Sequence, residues 1–271
     1  MTPFDRLRVR VDGRMAERLS PSAYRTFIAN LPRSLRQAVL EAGVHRIPLA
    51  DTSEWDMEWH SWGTVIRRQN LERTHLCIVF GGFAHKFYLP PVSLVTVFPR
   101  KKFDFAFVFD TTRTLNRVDE HGRDKRTGLF EALLRYAEPY RVVLSVGHSA
   151  GGVSTLELQQ LDQNIHALAI SPATIRAERI LPFRSYRYKS LYYDRYCDCS
   201  AKLSNGAPRS LVVASRNSAM DRDVATRLSQ LSGATQLLVD GPTGHGLWRK
   251  PHTSVREFHG DLDRFLELIG L

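Results

Sequence analysis

Short apolar runs separated by helix-length stretches recur from residue 49 to the end of the chain, and they constrain its fold more than any other feature. Most of these runs are continuous in Val, Ile, Leu and Phe, which is typical of strands buried on both faces of a sheet. Alternation of such strands with helices predicts an α/β fold, with a mostly parallel central sheet and helices on both faces. The predicted strands are Glu54–Trp62, Gly63–Arg68, Leu76–Phe80, Phe103–Phe109, Arg141–Val146, Ala167–Ile170, Ser210–Ala214 and Gln236–Val239.

The two ends of the chain depart from this alternation. Residues 1–48 contain two apolar stripes at helical spacing, one that begins near Ser20 and ends at Pro32 and one that ends at Gly43. They predict a small N-terminal helical extension, and residues 49–271 form the predicted α/β domain. Within that domain the first two strands are expected to pair as a hairpin, and Ser254–Leu271 is expected to form a helix with one apolar face.

The composition is that of an ordinary globular protein. With 43% hydrophobic and 24% charged residues among 271, the chain is not of the disordered, collagen-like or coiled-coil class. Three cysteines are too few and too scattered for a disulfide framework, which indicates a reducing compartment. We find neither a secretory signal nor an apolar run long enough to span a bilayer, and we therefore expect a cytoplasmic protein without a transmembrane segment.

A Gly-His-Ser-Ala-Gly motif at 147–151 follows the predicted strand directly and precedes a helix-compatible stretch at 153–160. A serine in a tight turn between a strand and a helix has strained backbone angles, and small neighbours such as Gly147 and Gly151 leave room for that turn. The helix that begins behind Ser149 directs the positive end of its dipole towards the position where an oxyanion would form. The motif therefore predicts a nucleophilic serine.

A nucleophilic serine needs a general base, and a histidine stands in a suitable loop after the last predicted strand. His245 lies between Gly244 and Gly246, where the chain leaves the carboxyl end of that strand. A loop in this place can reach over the edge of the sheet to the serine. His252 and His259 are weaker alternatives, because they precede or lie within the terminal helix.

The base needs an orienting acid, and the loop after the strand Ser210–Ala214 contains two candidates. Asp221 and Asp223 both qualify, and either could instead cap the helix that follows. In both cases the catalytic residues occur along the chain in the order serine, acid, histidine, which suits this type of site.

Backbone N–H groups that bind an oxyanion require a chain with little side-chain bulk. Gly81-Gly82-Phe83 follows an early predicted strand and is such a segment. We predict that the N–H groups of Ala150 and Phe83 form the oxyanion hole, with Gly82 as the alternative to Phe83.

From about residue 50 to 271 the chain resembles the α/β-hydrolase family, on the motifs at 147–151, 81–83 and 244–246. The acid of that family commonly stands three residues before a valine, and Asp221 with Val224 matches this spacing, which favours Asp221 over Asp223. The family's oxyanion loop often begins with His-Gly, whereas this chain has two glycines.

The resemblance implies a serine hydrolase of the carboxylesterase or thioesterase type, which cleaves an ester or thioester, and less readily an amide, through an acyl-serine intermediate. It implies no metal and no organic cofactor. The alternative is an α/β-hydrolase scaffold without turnover that serves as a binding protein. The N-terminal helical extension is a candidate surface for a protein partner.

Basic and aromatic side chains alternate in the connection between the sixth and seventh predicted strands, where the family often has a lid. Residues 176–205 form a predicted lid-like insertion, and its candidate substrate-binding residues are Arg184, Tyr186, Arg187, Tyr188 and Lys189. They would suit an anionic or sugar-like acyl group, although a solvated helix is an equal alternative.

The chain has 38 Lys and Arg against 28 Asp and Glu, a formal net charge of +10. No nucleic-acid-binding motif accompanies this charge, so we expect a small-molecule partner rather than a nucleic acid. Cys197-Asp198-Cys199 lacks a second pair of ligands, so we predict no zinc site.

Overall fold

A computed structural model of the protein shows, among the residues that it describes, a central sheet of eight strands. The structure describes residues 55–60, 62–68, 74–81, 87, 94–95, 98–99, 103–108, 126–173, 209–244, 246–247 and 255–271. The strands are β1 (Trp55–His60), β2 (Gly63–Arg68), β3 (His75–Phe80), β4 (Phe103–Val108), β5 (Val142–His148), β6 (His166–Ile170), β7 (Ser210–Ser215) and β8 (Thr235–Val239). The helices are α1 (Arg126–Ala137), α2 (Ala150–Leu161), α3 (Ala219–Ser232) and α4 (Val255–Leu268).

The strands lie in the order β1-β2-β4-β3-β5-β6-β7-β8. β1 pairs antiparallel with β2, and β2 pairs antiparallel with β4, whereas all the other neighbours are parallel. The predicted hairpin and the predicted mostly parallel sheet are therefore confirmed. Because parallel strands end at one edge, the loops after β3, β5, β6, β7 and β8 leave the sheet on the same side.

Alternate side chains of the strands pack against helices on opposite faces of the sheet. On one face the strands contribute residues such as Val79 and Val146 to a cluster with Phe258 and Phe265 of α4. On the other face the strands pack against α1, α2 and α3 in two further clusters. The prediction of helices on both faces is thus confirmed, and continuous apolar strands follow from this double burial.

The boundaries around the serine motif differ from those predicted. β5 continues to His148, and α2 begins at Ala150 instead of residue 153. The two glycines after Ala150 have low helix propensity, so sequence alone places the helix start too late. Close backbone packing, described below, overrides that propensity. Trp62, predicted to end the first strand, lies in a turn instead.

Residues 1–48 and 176–205 lie outside the described residues, so the N-terminal extension and the lid-like insertion stay predictions. Among the helices that the structure describes, none combines the length and the apolar character needed to cross a membrane.

Candidate active site

Ser149 occupies the single-residue turn between β5 and α2. Its backbone angles are φ 56° and ψ −121°, a conformation that non-glycine residues rarely adopt. The Ser149 N–H donates to the Ile170 carbonyl at 3.1 Å, and the Ala173 N–H donates to the Ser149 carbonyl at 2.9 Å. These bonds fix the turn against the end of β6. Ser149 is the N-cap residue of α2, but its side chain makes no capping hydrogen bond to that helix.

The two motif glycines allow the backbone to approach itself at this turn. A Cβ atom on Gly147 would lie 2.1 Å from the Gly151 carbonyl oxygen and 2.4 Å from Thr155 Oγ1. A Cβ atom on Gly151 would lie 2.1 Å from the Phe80 carbonyl oxygen. Neither position accommodates a side chain, so the spacing of the motif is required by the packing of α2 on β3 and β5.

Ala150 is the first residue of α2, and its side chain is buried. Its N–H is one of the first four in the helix, which have no acceptor within the helix, and it lies at the positive end of the dipole. The contact between Gly151 and Phe80 brings the end of β3 beside this N-terminus. The chain that leads to the predicted donors Gly82 and Phe83 therefore starts next to Ala150.

Asp221 lies in the first turn of α3, but it is not the cap of that helix. Ser218 is the N-cap, and its Oγ accepts a hydrogen bond from the Asp221 N–H at 3.3 Å. Asp221 is only 1% exposed, and its Oδ2 accepts a hydrogen bond from the Gly246 N–H at 2.9 Å. The side chain is thus directed at the loop after β8, at the residue that follows His245 in the sequence. Asp223, by contrast, is exposed to solvent.

No family model matches the chain, and no curated protein matches it. Solved structures similar to it include MGS-MChE2, an α/β-hydrolase enzyme from the metagenome of sediments of the Mar Chica lagoon, Morocco, with 15% identity and a TM-score of 0.53 over 78% of this chain and 98% of that one. Est1E from Butyrivibrio proteoclasticus has 16% identity and a TM-score of 0.52 over 80% of this chain and 100% of that one. An arylesterase has 13% identity and a TM-score of 0.53 over 99% of each chain. The chain has the α/β-hydrolase fold.

In this α/β-hydrolase fold, Ser149, Ala150 and Asp221 all lie at the carboxyl edge of the parallel strands, where the sequence predicts them. The remaining predicted site residues lie outside the described residues. They are His245, His252, Gly82, Phe83, Arg184, Tyr186, Arg187, Tyr188 and Lys189. The alternative base His259 lies on α4 and is exposed. In the described ranges of the hydrolase fold, no group of three His, Cys, Asp or Glu side chains could hold a metal ion, and Cys197 and Cys199 lie outside them.

The sequence does not single out two side chains at the end of β7 that form hydrogen bonds to the loop after β8. The Ser215 hydroxyl donates to the Pro242 carbonyl, and the Asn217 side-chain amide donates to the Gly241 carbonyl. Their partners lie 27 and 24 residues away along the chain. The only sequence signal for Ser215 and Asn217 is that they are polar residues in the loop that also contains the predicted acid. This signal does not identify the carbonyl groups that they bind.

Ser171 is a third residue that the sequence does not single out. It follows β6 with a left-handed φ of 41° and is fully buried. Its N–H donates to the Val213 carbonyl at 2.7 Å. This bond ties the end of β6, which holds the Ser149 turn, to β7, which leads to Asp221.

Proposed function

We propose that the protein is a serine hydrolase that cleaves an ester or thioester of a small molecule through an acyl-serine intermediate. The observation that carries this proposal is the pairing of two features at one edge of the sheet. Ser149 has the strained turn of a nucleophile, and the buried Asp221 carboxylate is bonded to Gly246, the residue after His245. The names of the structurally similar Est1E and arylesterase agree with ester chemistry.

In the proposed acylation, Ser149 Oγ attacks the carbonyl carbon while the His245 imidazole takes its proton. Asp221 holds the imidazole in the productive tautomer and stabilises its charged form. The N–H groups of Ala150 and Phe83 bind the oxyanion, with Gly82 as the alternative second donor. His245 then gives its proton to the leaving alcohol or thiol, and the acyl group remains on the serine.

Deacylation repeats these steps with water. His245 removes a proton from the water molecule as its oxygen attacks the acyl-serine, and the same N–H groups bind the second oxyanion. Collapse of the intermediate releases the carboxylic acid and returns the proton to Ser149 Oγ. Besides the leaving group and the attacking water, only Ser149 and His245 exchange protons in this cycle.

For the substrate we propose a small ester or thioester whose acyl part is anionic or sugar-like. The support for this is the sequence of the lid-like insertion at 176–205, where three basic residues alternate with two tyrosines, Arg184, Tyr186, Arg187, Tyr188 and Lys189. Cationic side chains raise the local concentration of anionic ligands, and tyrosines contribute both hydrogen bonds and flat apolar contacts.

Covalent labelling tests the proposal. An alkyl fluorophosphonate reacts with a serine only when the serine is activated, so the wild-type chain should label, and Ser149→Ala should not. His245→Ala should label about 10³- to 10⁴-fold more slowly because the base is missing. Ser154→Ala, at a buried serine on α2, is the control for general reactivity and should label like the wild type. Intact-protein mass spectrometry measures all four chains.

The result that contradicts the proposal is a folded wild-type chain that neither labels nor hydrolyses p-nitrophenyl esters or acyl-CoA thioesters of graded chain length. That result would favour the alternative, a scaffold that binds without turnover. Labelling that persists in Ser149→Ala would place the nucleophile elsewhere.

A further inference from the structure

Two hydrogen bonds tie the turn after β7 to the loop after β8. Ser215 Oγ donates to the Pro242 carbonyl oxygen at 2.8 Å, and Asn217 Nδ2 donates to the Gly241 carbonyl oxygen at 2.9 Å. Ser215 is fully buried, whereas Asn217 is exposed. The bonds thus come from neighbouring residues of one turn and end on consecutive carbonyl groups of the other loop.

The backbone at Gly241 packs closely against Ser215 and Leu247. A Cβ atom on Gly241 would lie 2.9 Å from Ser215 Oγ and 3.1 Å from the Leu247 carbonyl oxygen. The Arg216 N–H donates to the Val239 carbonyl at 2.9 Å, so the turn extends the pairing of the two strands up to the first residues of the loop. The two side-chain bonds therefore act on a loop whose near end is already fixed.

The far end of the loop is fixed by Asp221, which accepts from the Gly246 N–H. Three side chains from one segment, at 215, 217 and 221, thus hold the loop on both sides of His245. We propose that Ser215 and Asn217 are positioning residues, which set where His245 stands relative to Asp221 and Ser149. This inference rests on the proposed function, in which His245 is the base.

The geometry of proton transfer explains why such residues matter. A general base works when its nitrogen is within hydrogen-bonding distance of the proton, and a displacement of about 1 Å can lower a rate about 100-fold. In the proposed mechanism, loss of the bonds to the two carbonyl groups shifts the loop and so weakens the pairing of the His245 imidazole with the Asp221 carboxylate. The charged imidazole formed during the reaction then loses part of its stabilisation. Binding of the ester depends on other residues.

The experiment compares Ser215→Ala, Asn217→Ala and the double variant with the wild-type chain on a p-nitrophenyl ester. In the double variant kcat should fall about 10- to 100-fold while KM changes less than about threefold. The acidic limb of the pH profile of kcat/KM should move to lower pH, because the imidazolium is less stabilised. Thr226→Val is the matched control, since it removes the 2.9 Å hydrogen bond from Gln236 Nε2 to Thr226 Oγ1, which joins β8 to α3 and does not involve the loop after β8.

The control should leave kcat and the pH profile unchanged, even if it lowers the unfolding midpoint as much as the test variants do. If the wild type turns over by way of Ser149 but the double variant and both single variants match Thr226→Val in kcat and in pH profile, the positioning role is wrong and the proposed function stands. If the wild type itself lacks Ser149-dependent turnover, the proposed function fails, and the inference fails with it. If Ser215→Ala fails to fold, Asn217→Ala alone tests the proposal, because the Asn217 side chain is exposed and its removal is not expected to prevent folding.

Discussion

At the scale of single residues, Asp221 combines a charge with nearly complete burial. A carboxylate removed from water is tolerated when hydrogen-bond donors and positive potential face it. Here the Gly246 N–H donates to it, and the N-terminus of α3 contributes the positive end of the helix dipole. Ser218 already caps the helix, so Asp221 is not needed for that purpose. Its burial beside the loop after β8 is what a triad acid requires.

Asp221→Asn should lower kcat/KM for an ester about 10³- to 10⁴-fold, because the amide cannot stabilise the imidazolium and can favour the wrong tautomer. Asp223→Asn is the matched control two residues away, at an exposed position, and should stay within about threefold of the wild type. Steady-state kinetics with circular dichroism of each variant measures both effects. A greater loss from Asp223→Asn would transfer the acid's role to that residue.

The sequence leaves these two aspartates open for a physical reason. They stand within one helical turn, and both have the side chain that a triad acid needs. The family spacing favours Asp221, and tertiary packing adds the physical difference, since it buries Asp221 and leaves Asp223 in solvent. Ser215 and Asn217 are missed for a related reason: their partners are backbone carbonyls in a distant loop, which no periodicity or motif encodes.

At the scale of elements, the strands were the most predictable part of the fold. β3, β6 and β7 are buried on both faces, and this burial is visible in the sequence as the uninterrupted apolar runs 76–80, 167–170 and 211–214. The start of α2 was not predictable from propensity, because it depends on how closely Gly151 approaches Phe80. Sequence thus indicates which segments are strands, whereas contacts between elements decide where a helix begins.

One such contact joins β6 to the chain after α4. The buried His166 Nδ1 lies 2.8 Å from the Ile269 carbonyl oxygen, and because a carbonyl only accepts, Nδ1 carries the proton. Burial lowers the pKa of His166 below its ordinary value of 6.5, against the opposing effect of the Ile269 carbonyl. The unfolded chain therefore takes up a proton at a higher pH than the folded chain does. It follows that stability contributed by neutral His166 is complete above about pH 6.5 and is lost as the pH falls from there towards the folded-state pKa.

His166→Asn should reduce this dependence on pH, because the amide keeps an N–H donor for Ile269 and does not titrate. We expect the urea unfolding midpoint to drop less between pH 7.5 and pH 5.5 in His166→Asn than in the wild type. His259→Asn on α4 is the control and should keep the drop of the wild type, since its side chain remains in water in the folded protein. Equal drops in all three chains would assign the pH dependence to other groups.

At the scale of the whole molecule, the net charge of +10 affects every charged ligand that approaches. This general attraction must be separated from the local recruitment proposed for residues 176–205. Basic residues are also concentrated near the N-terminus, with Arg6, Arg8 and Arg10 in a short segment. The chain thus offers two sets of three basic residues, and replacing either set lowers the net charge by the same amount.

Neutralising Arg184, Arg187 and Lys189 to Gln should raise KM for a carboxylate-bearing ester about tenfold and leave KM for its neutral analogue nearly unchanged. The matched variant, with Arg6, Arg8 and Arg10 changed to Gln, loses the same charge and should raise KM for the acidic ester far less. In about 0.5 M salt the Debye length falls below 5 Å. The difference in KM for the acidic ester between the two variants should then shrink if it comes from long-range attraction, and it should persist if the basic residues contact the ester directly. Equal increases of KM in both variants would show that overall charge, and not the insertion, attracts the acidic ester.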